Sequence, residues 1–244
     1  MKKILLFGGF MFGCGGGGGS EFTTLEASIA ETVATVIKVS WSLDNEARVW
    51  IEYGLDGACE GEVTNSTIGT TGESLVLGIP PVTEVCFSAH ANMDGDEIQS
   101  ETQTIRTGNL PSTFSTMTIE DYDPSLVAPG FIVGSNAIDP AMLYVVNREG
   151  DIVWYQEPVN EFLRPQMIIS QAGDSFIYNE FSKDFTDDSS KISRVSFGGD
   201  IIEEFDTPDG HHSFQELPDG TMVYIAIDVR ETDEWGPVVG DSVV

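Results

Sequence analysis

Apolar and polar residues alternate along most of this chain with a period of two, the period of a strand whose side chains point to opposite faces of a sheet. Residues 33–41, 47–54, 72–80 and 84–91 each follow the pattern and are separated by turn residues. They predict half-buried antiparallel strands of a β-sandwich spanning residues 24–111, closed by a last strand at 104–108.

From residue 112 onward the alternation is organised into hairpins. Residues 211–217 alternate, 222–227 form an apolar run, and Pro218-Asp219-Gly220 lies between them as a turn whose glycine is free to take positive φ. Residues 164–178 repeat this layout around Gly173. Gly173 and Gly220 are 47 positions apart, and Gly150-Asp151 and Gly199-Asp200 are 49 apart. Such a period, with the same strand-turn-strand grammar in each repeat, predicts a β-propeller with blades of roughly 40–50 residues. The expected fold is therefore all-β, a sandwich followed by about two and a half blades over 112–244. On this reading the chain stops inside its third repeat, the propeller is an incomplete fragment, and the fragment by itself is inactive.

The first residues change the picture of where the protein works. Met1-Lys2-Lys3 precedes a short apolar run that ends at Cys14, which predicts a signal peptide over 1–13 rather than a membrane-spanning helix. Gly13-Cys14 fits the bacterial lipoprotein cleavage site, so that Cys14 would be lipidated and anchor the chain to a lipid bilayer through a Gly-rich tether, 14–23. Ordinary cleavage among the glycines is the alternative. Either route gives an exported protein, periplasmic or at the cell surface. The remaining cysteines, Cys59 and Cys86, form an even pair in an oxidising compartment, which favours a disulfide over two free thiols.

Charge removes one class of partner. Forty acidic residues against 11 basic ones give a formal net charge of −29, and such a surface repels nucleic acid and anionic lipid headgroups. No cofactor is expected and no metal site: the acidic stretches at 183–190 and 94–97 lack the spacing of a calcium loop and read as solvated turns.

The chain has three histidines, and two of them, His211 and His212, are adjacent. Arg164 and His211 each lie nine positions before a turn glycine, which places them at the same point of successive innermost strands, facing a shared channel. A guanidinium beside an imidazole suits an anionic substrate. Alternation turns His212 the other way, toward the blade interior or rim. The plainer reading is that these imidazoles only hydrogen-bond neighbouring blades. His90, at the end of a sandwich strand, reads as an ordinary sheet residue.

The string His211-His212-Ser-Phe-Gln-Glu-Leu-Pro-Asp-Gly, preceded by Gly-Asp-Ile-Val-Trp at 150–154, resembles the bacterial arylsulfotransferases over about residues 125–244. That resemblance implies a six-bladed propeller that moves a sulfuryl group from a phenolic sulfate ester to a phenolic acceptor through a histidine intermediate, without a nucleotide donor. It also implies that His211 and His212 are catalytic or sulfate-binding and that the covalent histidine lies beyond Val244. Arg164 enters as a substrate-binding residue by repeat geometry. The trail Trp41, Ile51-Glu52-Tyr53-Gly54, Leu77-Gly78-Ile79-Pro80 and Thr104–Gly108 resembles a fibronectin type III domain. A non-catalytic cell-surface binding or adhesion protein is the competing function.

Overall fold

The computed structural model of the chain describes residues 21–55, 57, 59, 61–93, 95–114, 123, 126, 128–137, 140–159, 161–182 and 189–244. The leader, Cys14, most of the tether, Asp94 and residues 183–188 of the acidic loop lie outside the described residues. The described chain is all-β, with no helix among these residues.

The first sheet contains β1 (Phe22–Ile29), β2 (Ile37–Leu55), β3 (Glu62–Val63), β4 (Thr67–Val76), β5 (Glu84–Met93), β6 (Asp96–Gln99) and β7 (Gln103–Arg106). The alternating stretches 33–41 and 47–54 were expected as two strands. They form one strand of 19 residues, β2, because Leu43-Asp44-Asn45-Glu46 contains neither glycine nor proline to turn the chain. The strand bends instead, with an irregular register between Ser42 and Ala47. Its first half pairs with β1, its second half with β3 and β5, and β4 pairs with it on both sides of the bend. The sheet thereby curls onto itself as a half-barrel, and Ile37 and Val39 of the first half share a core with Ile51 of the second and Phe87 of β5. A side chain at Gly72, opposite Trp41, would run into the indole, so this strand position needs a residue without Cβ. Cys59 and Cys86 are joined by a disulfide that closes 27 residues, with Cα atoms 4.8 Å apart.

Three further antiparallel sheets follow in chain order. The second is β8 (Ile132–Asn136), β9 (Ala141–Val146) and β10 (Ile152–Val159). The third is β11 (Phe162–Leu163), β12 (Met167–Ile169), β13 (Ser175–Ser182), β14 (Lys191–Ser196) and β15 (Ile201–Asp206), with β11 and β12 both on β13. The fourth is β16 (Gly210–Glu216), β17 (Met222–Thr232) and β18 (Gly236–Val243). The repeat glycines all sit at tight turns with left-handed backbone: φ is 88° at Gly150, 73° at Gly173, 90° at Gly199 and 86° at Gly220.

Side chains tie the third sheet to its neighbours. The amide of Gln166 grips the backbone of Phe214 in both directions: Nε2 donates to the carbonyl at 3.3 Å and Oε1 accepts the N–H at 3.1 Å. The carboxylate of Glu216 accepts the N–H of Gln171 at 2.6 Å and a hydrogen bond from Arg194 at 2.8 Å. Ser135 Oγ donates to the Pro165 carbonyl at 2.9 Å.

The largest core lies between the first sheet and the next two. The loop from β1 to β2 carries Val33 and Val36, both fully buried, into the same cluster as Leu143, Trp154, Phe176 and Val195. This is why β2 starts at Ile37 and not at Val33: the intervening residues leave the sheet and dock on β10. Thr35 Oγ1 donates to the Val153 carbonyl at 2.7 Å, and the Ala34 N–H donates to the Tyr155 hydroxyl at 3.0 Å. Gly199 meets the same loop so closely that a Cβ there would strike Thr32 Oγ1 and Val33 Cγ2.

Candidate functional site

The histidine pair is set by a corner in the backbone. The turn from β15 to β16 closes with the Gly210 N–H donating to the Thr207 carbonyl at 2.8 Å, and Ser190 Oγ donates to the Gly210 carbonyl at 2.8 Å. Asp209 and His212 both take left-handed conformations, with φ of 56° and 54°. Residues other than glycine rarely adopt this region, and such strain persists only where the surroundings enforce it. Here Asn179 of β13 fixes His212 by donating from Nδ2 to its carbonyl at 2.9 Å.

The corner also breaks the alternation read from the sequence. The pairing of β16 with β17 shifts register between His211 and Phe214, a bulge in which successive side chains need not point to opposite faces. The two rings therefore meet. Nδ1 of His211 lies 2.6 Å from Nδ1 of His212, with ring centroids 4.8 Å apart and planes at 89°. One ring must donate and the other accept, so at least one Nδ1 carries no proton. His212 faces solvent and leans on the ring of Phe181 at 5.8 Å, while His211 is mostly covered.

On the far side of His211, across β17, stands Asp241 of β18. Its Oδ1 is 3.2 Å from His211 Nε2, within ion-pair reach but off the line that a hydrogen bond needs. Asn179 Oδ1 is likewise buried without an aligned partner. A buried polar atom without a partner costs about 1–3 kcal/mol. Carboxylate, covered imidazole and exposed imidazole thus lie in series, and Nε2 of His212 is the ring nitrogen left outside the contact.

Arg164, expected to share a channel with His211, is engaged by an acidic neighbour. It lies between β11 and β12, buried, with Nε 3.0 Å from Glu180 Oε2 and Nη1 donating to the Glu157 carbonyl at 2.7 Å. Its guanidinium carbon sits 5.0 Å above the ring of Tyr178. Glu180 also pairs with Lys191 at 3.1 Å, and Lys191 with Glu204 at 2.7 Å. The contacts of Arg164 thus run to Glu180, Glu157 and Tyr178, and those of His211 to His212 and Asp241. The hydrogen bond to Lys191 holds the Glu204 carboxyl below its ordinary range.

His90 stays within the first sheet. It is stacked on Trp50 at 5.4 Å, with Glu52 at 3.1 Å and Glu97 at 3.2 Å from its ring nitrogens. No group of three metal-binding side chains occurs among the described residues.

Asp241 and Asn179 were not legible as site residues. Asp241 is one acid among forty, and only the pairing of β18 with β17 brings it to the histidines. Asn179 lies in β13 beside Phe176, Ile177 and Tyr178, where an amide among apolar neighbours was the available signal. No family model matches this chain, and no curated protein matches it.

Proposed function

We propose that the chain is part of a sulfuryl-transfer catalyst, moving a sulfuryl group from a phenolic sulfate ester to a phenol, with His212, in place of the histidine expected beyond Val244, as the reacting imidazole, so that these 244 residues carry the reaction themselves, contrary to the expectation of an inactive fragment. The observation that carries this reading is the series Asp241, His211, His212. A neutral imidazole with its Nε2 lone pair exposed is a competent nucleophile, and a second imidazole backed by a carboxylate steadies the charge that develops on the first. In the covalent step Nε2 of His212 bonds to sulfur, the ester S–O bond breaks, and the phenolate leaves. A phenol then takes the sulfuryl group and regenerates the imidazole.

The same reading takes the three later sheets as consecutive propeller blades and the curled first sheet as a fibronectin type III-like domain, on an exported chain anchored through Cys14. The two pairs of equivalent glycine turns, Gly150 with Gly199 and Gly173 with Gly220, and the Gln166–Phe214 and Gln171–Glu216 links between successive sheets support the blade assignment. Arg164 serves the site as a buried prop for β13, the strand that carries Asn179, rather than as a sulfate ligand, since Glu180 neutralises its charge.

The test is release of a chromogenic phenol from its sulfate ester in the presence of an acceptor phenol, for the native chain and for His211→Ala and His212→Ala. Acceptor-dependent release by the native chain, lost in His212→Ala, is the expected result. Absence of release from the native chain removes the catalytic reading.

A second reading, a cell-surface binding platform, is favoured by a separate observation. Val229 and Val239, paired across β17 and β18, are 59% and 73% exposed, and Trp235 in the turn between these strands is 71% exposed, apolar surface of the kind that marks recognition sites. Binding of an aryl sulfate without turnover would favour it.

A further inference from the structure

A cavity of about 240 Å3 opens between the first sheet and the second and third, and it shares no lining residue with the histidine pair. Leu77 comes to it from the end of β4, Val145 and Trp154 from β9 and β10, and Ile169 and Phe176 from β12 and β13. Phe131, just before β8, completes the wall. Phe131 and Ile169 are 58% and 51% exposed and form the rim, so a ligand reaches the interior without unfolding the core.

The chemistry of the wall selects its occupant. Among the described residues, the indole N–H of Trp154 is the one polar side-chain group in the lining, and it already donates to the Phe197 carbonyl at 3.0 Å. An isolated water needs two to four polar partners and finds none on these side chains. An ion would lose its hydration with nothing to replace it, and an anion would in addition meet a chain of net charge −29. The occupant is therefore small, uncharged and apolar.

Ring shape follows from the aromatic side chains. Trp154 and Phe176 pack at 4.4 Å and 52°, and Phe176 and Phe197 at 4.8 Å and 64°, an edge-to-face ladder on which a further ring continues the same geometry. A cavity of ~150 Å3 already accepts benzene, so this one has room for one ring or two fused rings. We propose that this cavity is a binding site for a small uncharged aromatic molecule. Because Leu77 directly follows β4 of the first sheet and Val145, Trp154, Ile169 and Phe176 belong to the second and third, the ligand bridges the two halves of the largest core and stabilises their union.

The experiment is a titration of the methyl-labelled full chain with toluene, followed by methyl NMR, with benzoate as the charged counterpart. Saturable ring-current shifts are expected at the methyls of Leu77, Val133, Val145, Val153 and Ile169, with a matching rise in Tm, and none with benzoate. Ile169→Trp fills the rim and should abolish the shifts. Should that variant fail to fold, Ile169→Glu places a charge at the same exposed rim and should weaken toluene binding about tenfold or more. No saturable shift at these methyls, equal binding of benzoate, or unchanged toluene binding in the folded rim variant would each overturn the proposal. None of these outcomes depends on sulfuryl transfer, since toluene carries no sulfate.

Discussion

Nδ1 of His211 and Nδ1 of His212 stand 2.6 Å apart, although the residues are adjacent on a strand and would ordinarily face opposite sides of the sheet. The left-handed backbone at His212 makes the contact possible, and so predicts how the position responds to substitution. Glycine adopts φ near 54° without strain, whereas a β-branched residue does not. His212→Gly should retain native stability or improve on it, and His212→Val should lose about 1–3 kcal/mol in urea denaturation. Both should lose sulfuryl transfer, which separates the backbone's role from the ring's.

Arg164 predicts a stability effect rather than a binding effect. Its side chain and that of Glu180 are each 6% exposed, and removing one partner of a buried pair leaves the other charge uncompensated. Arg164→Ala should cost about 3 kcal/mol, near the lower end for such pairs because Lys191 still reaches Glu180. Lys191→Ala, at a half-open position, should cost less than about 1 kcal/mol. Equal losses in thermal or urea unfolding would contradict this ordering.

Glu216 links stability to pH. Burial works to raise its carboxyl, but the N–H of Gln171 and the guanidinium of Arg194 outweigh burial and hold it below the ordinary value of 4.5. A carboxylate depressed in the folded state contributes stability that is fully present above its unfolded value and is lost as pH falls through its folded value. Unfolding midpoints measured downward from pH 5 should therefore fall more steeply for the native chain than for Glu216→Gln, which should start lower and change less.

The union of the first sheet with the later ones rests on close packing at Gly199, whose φ of 90° already disfavours any side chain. Gly199→Ala adds a Cβ against Thr32 and Val33 and should destabilise the chain by about 2–3 kcal/mol. Thr35→Val, which deletes the donor to Val153 but keeps the shape, should cost about 1 kcal/mol. Calorimetry should show whether the first sheet then melts in a transition of its own, as the shared core requires for the larger perturbation.

Period-two alternation was enough to read the chain as all-β and to find β5, β7 and the β16–β17 hairpin, because half-buried strands print their two faces directly into the sequence, whereas the strand expected at 72–80 begins earlier and ends at Val76 as β4. It misread 33–36 because those residues are buried by a different sheet, and burial by a distant partner produces the same apolar signal as burial by a neighbour. It placed Arg164 with His211 by counting positions, and did not register the ion pair that Arg164 makes with Glu180 of β13. Counting assumes regular strands, and the bulge at His212 and the break between β11 and β12 are the irregularities that counting does not register. The histidine pair itself was legible as chemistry. Its partners Asp241 and Asn179 were not, since both arrive by cross-strand or cross-sheet placement.

The most direct test of the account is intact-mass analysis of the chain after brief exposure to an aryl sulfate without acceptor, followed by peptide mapping. The account predicts one added sulfuryl group, mapped to His212, absent in His212→Ala and discharged when phenol is added. A chain that gains no mass while its fold is intact, or gains it equally in His212→Ala, would contradict the assignment of this imidazole as the group that carries the sulfuryl.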